Sequence, residues 1–137
     1  MDNIVHIGLG KTATTTLQRW IFPKLAADNG YTYNYPELKS LLVRSIAISP
    51  KDEQTLRIKE LLTERHHFSS IESLVNWNPA EWEAAADKNL ALFGRETKIL
   101  LALRDPYSLM RSVYQQMIHE GHIFPPETFF LPESDYI

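Results

Sequence analysis

The amino-acid sequence predicts an α/β fold, a three-layer sandwich built on a small, mostly parallel sheet. Segments with strand character alternate with segments of helical periodicity, which is the order of a sheet covered by its crossover helices. Residues 98–103 consist of Lys98 followed by a continuous apolar run, the pattern of a strand buried on both faces of a parallel sheet. Residues 4–7 run directly into a glycine-containing loop and a helix start. In folds of this kind, ligands bind at the carboxyl ends of the strands.

The first helix is predicted over residues 14–27, directly after the opening strand and its loop. Its apolar residues recur at helical spacing and are expected on one buried face: Leu17, Trp20, Ile21 and Leu25. Pro23 has no N–H to donate, so a kink or an early end of the helix is expected there. The turn signal Asp28-Asn29-Gly30 closes the segment.

A second strand and two more helices are predicted next. Alternating tyrosines give residues 31–35 strong strand propensity. Helical periodicity covers residues 37–48, and a further helix, capped by Ser49 or Asp52, reaches to about residue 65. Together these segments make the crossover from the second strand to the third.

The second half of the chain continues the alternation. A short strand is predicted within residues 66–72, a helix from Asn78-Pro79 to Gly94, and a last helix over residues 107–120. The inward side of the middle helix is expected to carry Trp82, Ala85, Ala86, Leu90 and Phe93. Prolines and weak periodicity predict a loop or tail over residues 121–137, after an α/β domain at 1–120. No closing element follows, so the fold is expected to be incomplete at its C-terminus.

Composition narrows the classes of function. The 137 residues are 44% hydrophobic and 23% charged, which is ordinary for one globular domain with a real core. The net charge of −3 gives no general reason to expect nucleic acid or an anionic membrane as a partner. The chain has no cysteine, which excludes disulfides, thiolate metal sites and cysteine nucleophiles. With no signal peptide and no apolar run of membrane-spanning length, a cytoplasmic protein is expected.

The loop after the first strand has the chemistry of an anion site. Its glycines let the backbone turn sharply and approach a ligand closely. The helix start supplies unpaired N–H groups, while lysine adds a point charge and threonines add hydroxyl donors. The candidate binding residues are Gly8, Gly10, Lys11, Thr12, Ala13, Thr14 and Thr15.

The spacing of this loop differs from that of the common nucleotide motifs. A Walker A loop reads G-x-x-x-x-G-K-S/T, and Gly10-Lys11-Thr12 matches its end. Its first glycine would stand at position 5, which is Val5. The G-x-G-x-x-G dinucleotide fingerprint is absent too, because position 13 is Ala13. The spacing therefore disfavours an ordinary nucleoside triphosphatase.

A second informative stretch begins where the last predicted strand ends. Arg104 leaves that strand, and Ser112 follows eight residues later, about two turns into the next helix. A guanidinium and a hydroxyl so placed can clamp a second phosphate. The structural alternatives are an ion pair between Arg104 and Asp105, and a helix-face hydroxyl at Ser112 that binds no ligand.

Taken together, these two stretches resemble the sulfotransferases that use 3′-phosphoadenosine-5′-phosphosulfate (PAPS). The Lys11-Thr12-Ala13-Thr14-Thr15 loop is similar to the one that holds the 5′-phosphosulfate in that family. The Arg104-Asp105-Pro106 segment, with Ser112 at the family's spacing, resembles the one that holds the 3′-phosphate. Thr16-Leu17 looks closer to the carbohydrate-type branch and its bacterial relatives. The resemblance implies the N-terminal part of a P-loop NTPase-like sulfotransferase fold.

The resemblance also implies a reaction and roles for these residues. The chain would bind PAPS without a metal and transfer the sulfuryl group to a hydroxyl or amine of a carbohydrate or small molecule. Lys11 would contact the bridging oxygen, the threonines the 5′-phosphate, and Arg104 with Ser112 the 3′-phosphate. Transfer to a hydroxyl needs a general base. The candidates, in order, are Glu72, His67 and Glu37.

Two other functions stay open at this point. A kinase-like P-loop protein would use ATP and magnesium, but it needs Walker A spacing and a strand-end aspartate, for which Asp105 is the available residue. A truncated, non-catalytic remnant of the sulfotransferase family would keep part of the fold and a nucleotide site. Self-association is a further expectation, because a shortened fold leaves a sheet edge or apolar surface exposed.

Overall fold

The computed structural model describes residues 2–47, 52–76, 78–123 and 125–129. The chain divides into two compact units, Met1–Ala102 and Leu103–Ile137. The predicted cap at Ser49 and residues 130–137 of the predicted tail lie outside the described residues. The predicted domain bounds of 1–120 and 121–137 stay a prediction.

The first unit contains a four-stranded sheet in which every pair of neighbouring strands is parallel. The strands are β1 Ile4–Gly8, β2 Thr32–Tyr33, β3 His67–Ser70 and β4 Lys98–Leu101. Their order across the sheet is β2-β3-β1-β4, so the first strand lies in the interior. Val5 is level with Ser69 on one side and with Ile99 on the other. An α/β class with a small parallel sheet is therefore confirmed.

Helices connect the strands, as parallel pairing requires. A helical stretch between β1 and β2 comprises α1 Thr14–Thr16, a π-helical segment Leu17–Ile21 and α2 Phe22–Asp28. The later crossovers contain α3 Pro36–Ala47, α4 Asp52–Glu64 and α5 Trp82–Phe93. Two 3₁₀ turns, Glu72–Leu74 and Pro79–Glu81, lie between β3 and α5.

Two hydrophobic clusters lie on opposite faces of the sheet. Successive residues of a strand point to opposite faces, and Val5 belongs to one cluster while Ile4 packs against the other. The larger cluster joins the sheet to α3, α4 and α5: Val5, Leu38, Leu42, Ile58, Leu61, Ile71, Leu74, Leu92 and Phe93. The smaller cluster joins it to α2: Phe22, Ala26 and Phe68. The sheet is therefore covered by helices on both sides.

The predicted buried face of the first helix is wrong. Trp20 is 75% exposed, whereas Phe22 and Ala26 are buried. The π-helical segment explains the difference, because its wider turn places residues five apart, such as Leu17 and Phe22, on the same side. A period of 3.6 residues therefore predicts the wrong face from this point on.

The prediction that residues 98–103 are buried on both faces is also wrong. β4 is an edge strand, and Ile99, Leu100 and Leu101 are 48%, 40% and 44% exposed. Its apolar composition is that of an interior strand, but no described strand pairs with its outer side. An apolar run does not reveal by itself whether a strand lies inside a sheet or at its edge.

The predicted buried face of α5 also needs correction. Trp82 and Leu90 were expected to face inward, but both are exposed. The residues of α5 that are buried are Asn89, Leu92 and Phe93. In α3 and α4, by contrast, the periodic positions Leu38, Leu42, Ile58 and Leu61 are buried, although Leu56, which belongs to the same periodic pattern, is exposed.

The second unit contains α6 Pro106–His119 and α7 Pro126–Phe129. Asp105 caps α6, since its carboxylate accepts a hydrogen bond from the Ser108 N–H at 2.9 Å. The predicted loop after Gly121 is wrong in part, because α7 forms there. Phe129 is buried, and its ring centroid lies 5.2 Å from that of Tyr114.

No helix among the described ranges combines the length and the apolar character needed to cross a membrane.

Candidate anion-binding loop at the carboxyl end of the sheet

The candidate loop, Leu9–Ala13, leaves β1 at its carboxyl end, between the ends of β3 and β4. The backbone ladder with the β4 segment continues into the loop. The Leu9 N–H donates to the Ala102 carbonyl at 3.2 Å, and the Ala102 N–H donates to the Gly8 carbonyl at 3.0 Å. Within the loop, the Thr12 hydroxyl donates to the Leu9 carbonyl at 2.6 Å. The loop is thus tied to the sheet at its start.

Gly8 allows the chain after β3 to approach the start of the loop. Its φ is +116°, a conformation that favours glycine. A Cβ at this position would overlap the carbonyl oxygen of Glu72 and lie 3.2 Å from the carbonyl carbon. The loop and the Glu72 backbone are therefore in direct contact, and only glycine fits between them.

Two other loop residues have left-handed backbone conformations without being glycine. Lys11 has φ +63° and Ala13 has φ +60°. Such conformations cost roughly 1–2 kcal/mol each for residues with a Cβ. Residues held in this way cluster at ligand-binding loops, so the observed conformations support a functional role for this segment.

The helix after the loop begins with free donors. The Ala13 carbonyl accepts hydrogen bonds from the Thr16 N–H at 3.1 Å and the Leu17 N–H at 3.2 Å, which places the helix start at Ala13. The N–H groups of Thr14 and Thr15 lie in the first turn and have no acceptor within the helix. Thr14 is buried and Thr15 is exposed. Gly10 is buried, while Lys11 and Thr12 are partly exposed.

Glu72 lies beside this loop. It begins the 3₁₀ turn that follows β3, and this turn is bound to β1 by backbone hydrogen bonds. The Ile71 N–H donates to the His6 carbonyl at 2.9 Å, and the Val75 N–H donates to the Ile7 carbonyl at 3.2 Å. The structure thus places the backbone of the first candidate base against Gly8, at the start of the predicted loop.

His67 lies at the other end of the sheet. It is the first residue of β3, and its neighbour Phe68 is level with Ile4, so a rise of about 3.3 Å per residue separates it from Gly8 by roughly 16 Å along the strands. It is fully buried, and its Nε2 donates to the Leu61 carbonyl at 2.9 Å. Burial lowers its pKa. The structure does not bring His67 to the loop.

Glu37, the third candidate base, is held in an ion pair at the start of α3. Arg57 of α4 donates to its two carboxylate oxygens at 2.7 and 3.2 Å. This hydrogen bonding lowers the pKa of Glu37. A lowered pKa makes the carboxylate a weaker base, and its bidentate contact is that of a link between two helices.

A polar cluster beneath the loop was missed by sequence reasoning. His6 is fully buried, and its Nδ1 lies 2.8 Å from the Ser70 hydroxyl, which also accepts from the Gln18 side chain at 3.0 Å. Tyr33 joins it by donating to the Gln18 carbonyl at 3.2 Å. Burial lowers the pKa of His6, while the nearby Glu72 charge acts in the opposite direction. The sequence feature that could have indicated this cluster is His6, a single histidine within an otherwise apolar strand.

Arg104 and Ser112 lie in the second unit. Arg104 is exposed and comes just before α6, and Ser112 is partly buried on that helix. The residues of the loop and Glu72 all belong to the first unit.

Across the described ranges, no group of three or more histidine, aspartate or glutamate residues is arranged to hold a metal ion. The loop itself offers backbone N–H groups, threonine hydroxyls and the Lys11 ammonium group, which are donors suited to an anion.

Comparison with protein-family models, with curated proteins and with solved structures found no significant match to this chain.

Proposed function

We propose that this protein binds PAPS and transfers its sulfuryl group to a hydroxyl or amine of a carbohydrate or small molecule. One observation carries the proposal: an interior parallel strand leads through a strained loop containing Lys11 into a helix start, with Glu72 against the loop at Gly8. Donors for an anion and a candidate base thus share one edge of the sheet. The loop residues fit a phosphosulfate by the chemistry of their donors.

The proposed reaction assigns one task to each side chain. PAPS supplies a sulfuryl group attached to a phosphate that can leave. The oxygen of the acceptor hydroxyl forms a bond to sulfur while Glu72 accepts the hydroxyl proton. The bond between sulfur and the bridging oxygen breaks, and the phosphate leaves with that oxygen. Lys11 and the loop N–H groups stabilise the charge that develops on the leaving phosphate. Thr14 and Thr15 hold its oxygens, and Thr12 contributes its backbone N–H, since its hydroxyl donates to the Leu9 carbonyl.

Arg104 and Ser112 are the proposed ligands of the 3′-phosphate. This assignment rests on their spacing and on the resemblance to the PAPS-dependent family. It separates PAPS from nucleotides that have phosphate at the 5′ position alone, because PAPS and its desulfated product carry a second phosphate at the 3′ position.

Ligand-dependent thermal stability tests the binding proposal. Adenosine 3′,5′-bisphosphate is expected to raise the melting temperature, since a ligand that binds only the folded state stabilises it. Lys11→Ala should abolish this shift. Arg104→Ala should reduce the response to adenosine 3′,5′-bisphosphate to that of adenosine 5′-monophosphate, which lacks only the 3′-phosphate.

Matched variants control for nonspecific charge effects. Lys39 and Arg44 are exposed residues of α3, and Lys39→Ala and Arg44→Ala should leave the shift unchanged. No shift with either adenosine phosphate in the folded wild-type chain would refute the proposal. A shift with ATP that depends on magnesium would instead support a kinase-like protein.

Glu72→Gln separates binding from chemistry. The amide keeps the shape of the side chain but is not a base, so sulfuryl transfer to a panel of hydroxyl and amine acceptors should be lost while the thermal shift remains. A fall of about 10²–10⁴-fold is expected for loss of a general base. Full activity in this variant would exclude Glu72 as the base. Binding without transfer by the wild-type chain would favour a non-catalytic nucleotide-binding protein.

A further inference from the structure

The His6, Ser70 and Gln18 side chains form a hydrogen-bonded chain beneath the helix that follows the loop. Gln18 donates to the Ser70 hydroxyl at 3.0 Å, and this hydroxyl lies 2.8 Å from Nδ1 of His6. Thr14 and Gln18 are four residues apart and therefore share one face of the helix. Thr14 is also buried, so this face lies against the sheet. The hydrogen bonds thus link the start of the helix to β1 and β3.

The sheet holds Ser70 in place between the other two residues. Ser70 is level with His6 in the parallel pairing of β1 and β3. Its N–H donates to the Asn34 side chain at 2.8 Å, and the Asn34 N–H donates to the Phe68 carbonyl at 3.0 Å. Ser70 is therefore fixed by neighbours on both sides of β3, and a change at His6 is felt at Gln18 through a rigid link.

One ring nitrogen of His6 has hydrogen-bonding capacity that no described residue uses. Its Nε2 is buried, and no partner for it lies among the described residues. Such atoms are rare in native proteins, because an unpaired buried polar group costs free energy that an apolar side chain avoids. The ring also contacts Phe22, at 5.1 Å between ring centroids. Histidine at this position therefore indicates a role beyond packing.

The groups around His6 keep it uncharged in the free protein at neutral pH. Burial lowers its pKa more than the Glu72 charge raises it. Tyr33 of β2 donates to the Gln18 carbonyl, and burial raises the pKa of its hydroxyl, so it is uncharged as well. The helix and β4 contribute side chains that do not titrate: Gln18, Phe22 and Leu100.

We propose that the loop binds its anion together with a proton, which His6 takes up from solvent. This inference rests on the anion-binding part of the proposed function. The helix start and Lys11 are positive, and they oppose a second cation beneath them until an anion reverses the local field. His6 lies two residues before Gly8, about 7 Å along the strand, so its charge and that of the anion interact through the protein interior.

The hydrogen-bonded chain accommodates this proton. In the protonated ring Nδ1 is a donor, and the Ser70 oxygen has two lone pairs, so it accepts from His6 and Gln18 together. His6 thus acts on the anion through its charge and through the position of Gln18. It is a positioning residue rather than a catalytic one.

Histidine ring resonances of the wild-type protein measure the coupling. Sulfate is the probe, because it stays a dianion over the whole range, whereas a phosphate monoester takes up a proton near pH 6. In saturating sulfate the midpoint of the His6 titration should rise by about one pH unit, compared with sodium chloride of equal ionic strength. The His6 signals are those missing from the spectrum of His6→Asn.

His67 is the matched control within the same molecule. It is also fully buried, but its Nε2 donates to the Leu61 carbonyl at the other end of the sheet. The titration midpoint of His67 should be the same in sulfate and in chloride. An equal rise for both histidines would reveal a general effect of the anion on the protein and would overturn the proposal.

The affinity for sulfate gives the reciprocal measurement, since coupling between two sites acts equally in both directions. Between pH 7.5 and 5.5 the wild-type affinity should increase as pH falls, by up to about tenfold per pH unit. His6→Asn cannot take up the proton, so its affinity should not change with pH. His67→Gln should retain the pH dependence of the wild-type protein.

The backbone amide resonances of Thr14 and Thr15 separate this inference from the proposed function. If they move with sulfate while the His6 midpoint stays constant, the proton coupling is wrong and the anion site stands. If they respond neither to sulfate nor to adenosine 3′,5′-bisphosphate, the proposed function and the coupling are both refuted.

Discussion

At the scale of single residues, Gly8 meets two separate requirements. Its φ of +116° is unfavourable for any residue with a Cβ, and the Glu72 carbonyl occupies the space that a Cβ would need. The contact is with backbone, which cannot move aside as a flexible side chain can. The position of Glu72 beside the loop therefore depends on the absence of a side chain at residue 8.

Gly8→Ala is expected to destabilise the fold by about 3 kcal/mol or more, since it combines backbone strain with a steric overlap. Gly30→Ala is the matched control. Gly30 also has a positive φ, of +73°, at the end of α2, but a Cβ there would meet nothing within 4 Å. This substitution should cost about 1 kcal/mol. Chemical denaturation of both variants measures the difference, and equal losses would contradict the overlap with Glu72.

The sequence could predict that the glycines and Lys11 form a loop, because residue type alone indicates turning and charge. It could not predict the left-handed conformations of Lys11 and Ala13. Neither residue has a local preference for that region, so the conformation is imposed by the attachments of the loop at each end. Glu72 was a candidate from its place after a strand, but its contact with Gly8 depends on which strands are neighbours.

At the scale of elements, Pro23 determines how the carbonyl groups of the π-helical segment find their hydrogen-bond donors. The Phe22 N–H donates to the Leu17 carbonyl, five residues back. The same pattern would pair the Gln18 carbonyl with residue 23, but proline has no N–H. The Tyr33 hydroxyl donates to that carbonyl instead, at 3.2 Å. A tyrosine from β2 thus satisfies a helix carbonyl that the proline leaves without a backbone donor.

Tyr33→Phe should destabilise the protein by about 1 kcal/mol, the usual effect of losing one hydrogen bond and leaving an acceptor without its partner. Tyr31→Phe is the matched control. Tyr31 is partly buried in the same cluster, but no hydrogen bond of its hydroxyl to a described residue is seen. Urea denaturation compares the two. Equal effects would mean that the hydroxyl of Tyr33 does not stabilise the π-helical segment.

Pro23 was a signal for a kink, and the structure shows how the helix accommodates it. The π-helical turn could not be predicted, since it depends on Tyr33, which lies in another element. The prediction of the buried face of the first helix was wrong for this reason, because one wider turn rotates every later side chain about the helix axis. For α3 and α4 the ordinary helical period places Leu38, Leu42 and Leu61 on the buried side, while Leu56 is exposed.

At the scale of the whole molecule, two buried histidines make stability depend on pH. Burial lowers the pKa of both His6 and His67 from the ordinary 6.5. Below about pH 6.5 the unfolded chain therefore takes up protons that the folded chain does not. The stabilisation is complete above that pH and is lost as pH falls toward the lower pKa values of the folded state.

The free energy of unfolding should decrease by up to about 1.4 kcal/mol per histidine for each pH unit below 6.5. Denaturation at pH 7.5, 6.5 and 5.5 measures this slope. In a double variant, His6→Asn keeps a hydrogen-bonding group near the Nδ1 position, and His67→Gln keeps a donor near Nε2. In this variant the free energy of unfolding should change less with pH over this range than it does in the wild-type protein. An unchanged slope would show that other groups control the acid response.

The parallel class could be predicted because helices and strands alternate along the chain. The order of the strands could not, since sequence spacing does not show which strand becomes an edge. β4 illustrates this limit: its composition indicates an interior strand, and only the arrangement of the sheet reveals its exposed side. The assignment of Arg104 and Ser112 to a 3′-phosphate is a prediction from their spacing along the chain.

The interior position of β1 has a consequence for how the protein is made. β1 is synthesised first, yet its neighbours are β3 and β4, and Ile4 pairs with Lys98. At about 5–20 residues per second, a ribosome needs roughly 5–20 s to advance from one to the other. During that interval the opening strand has no partner on its β4 side, so a chaperone that shields residues 4–8 would act at the most vulnerable stage of folding.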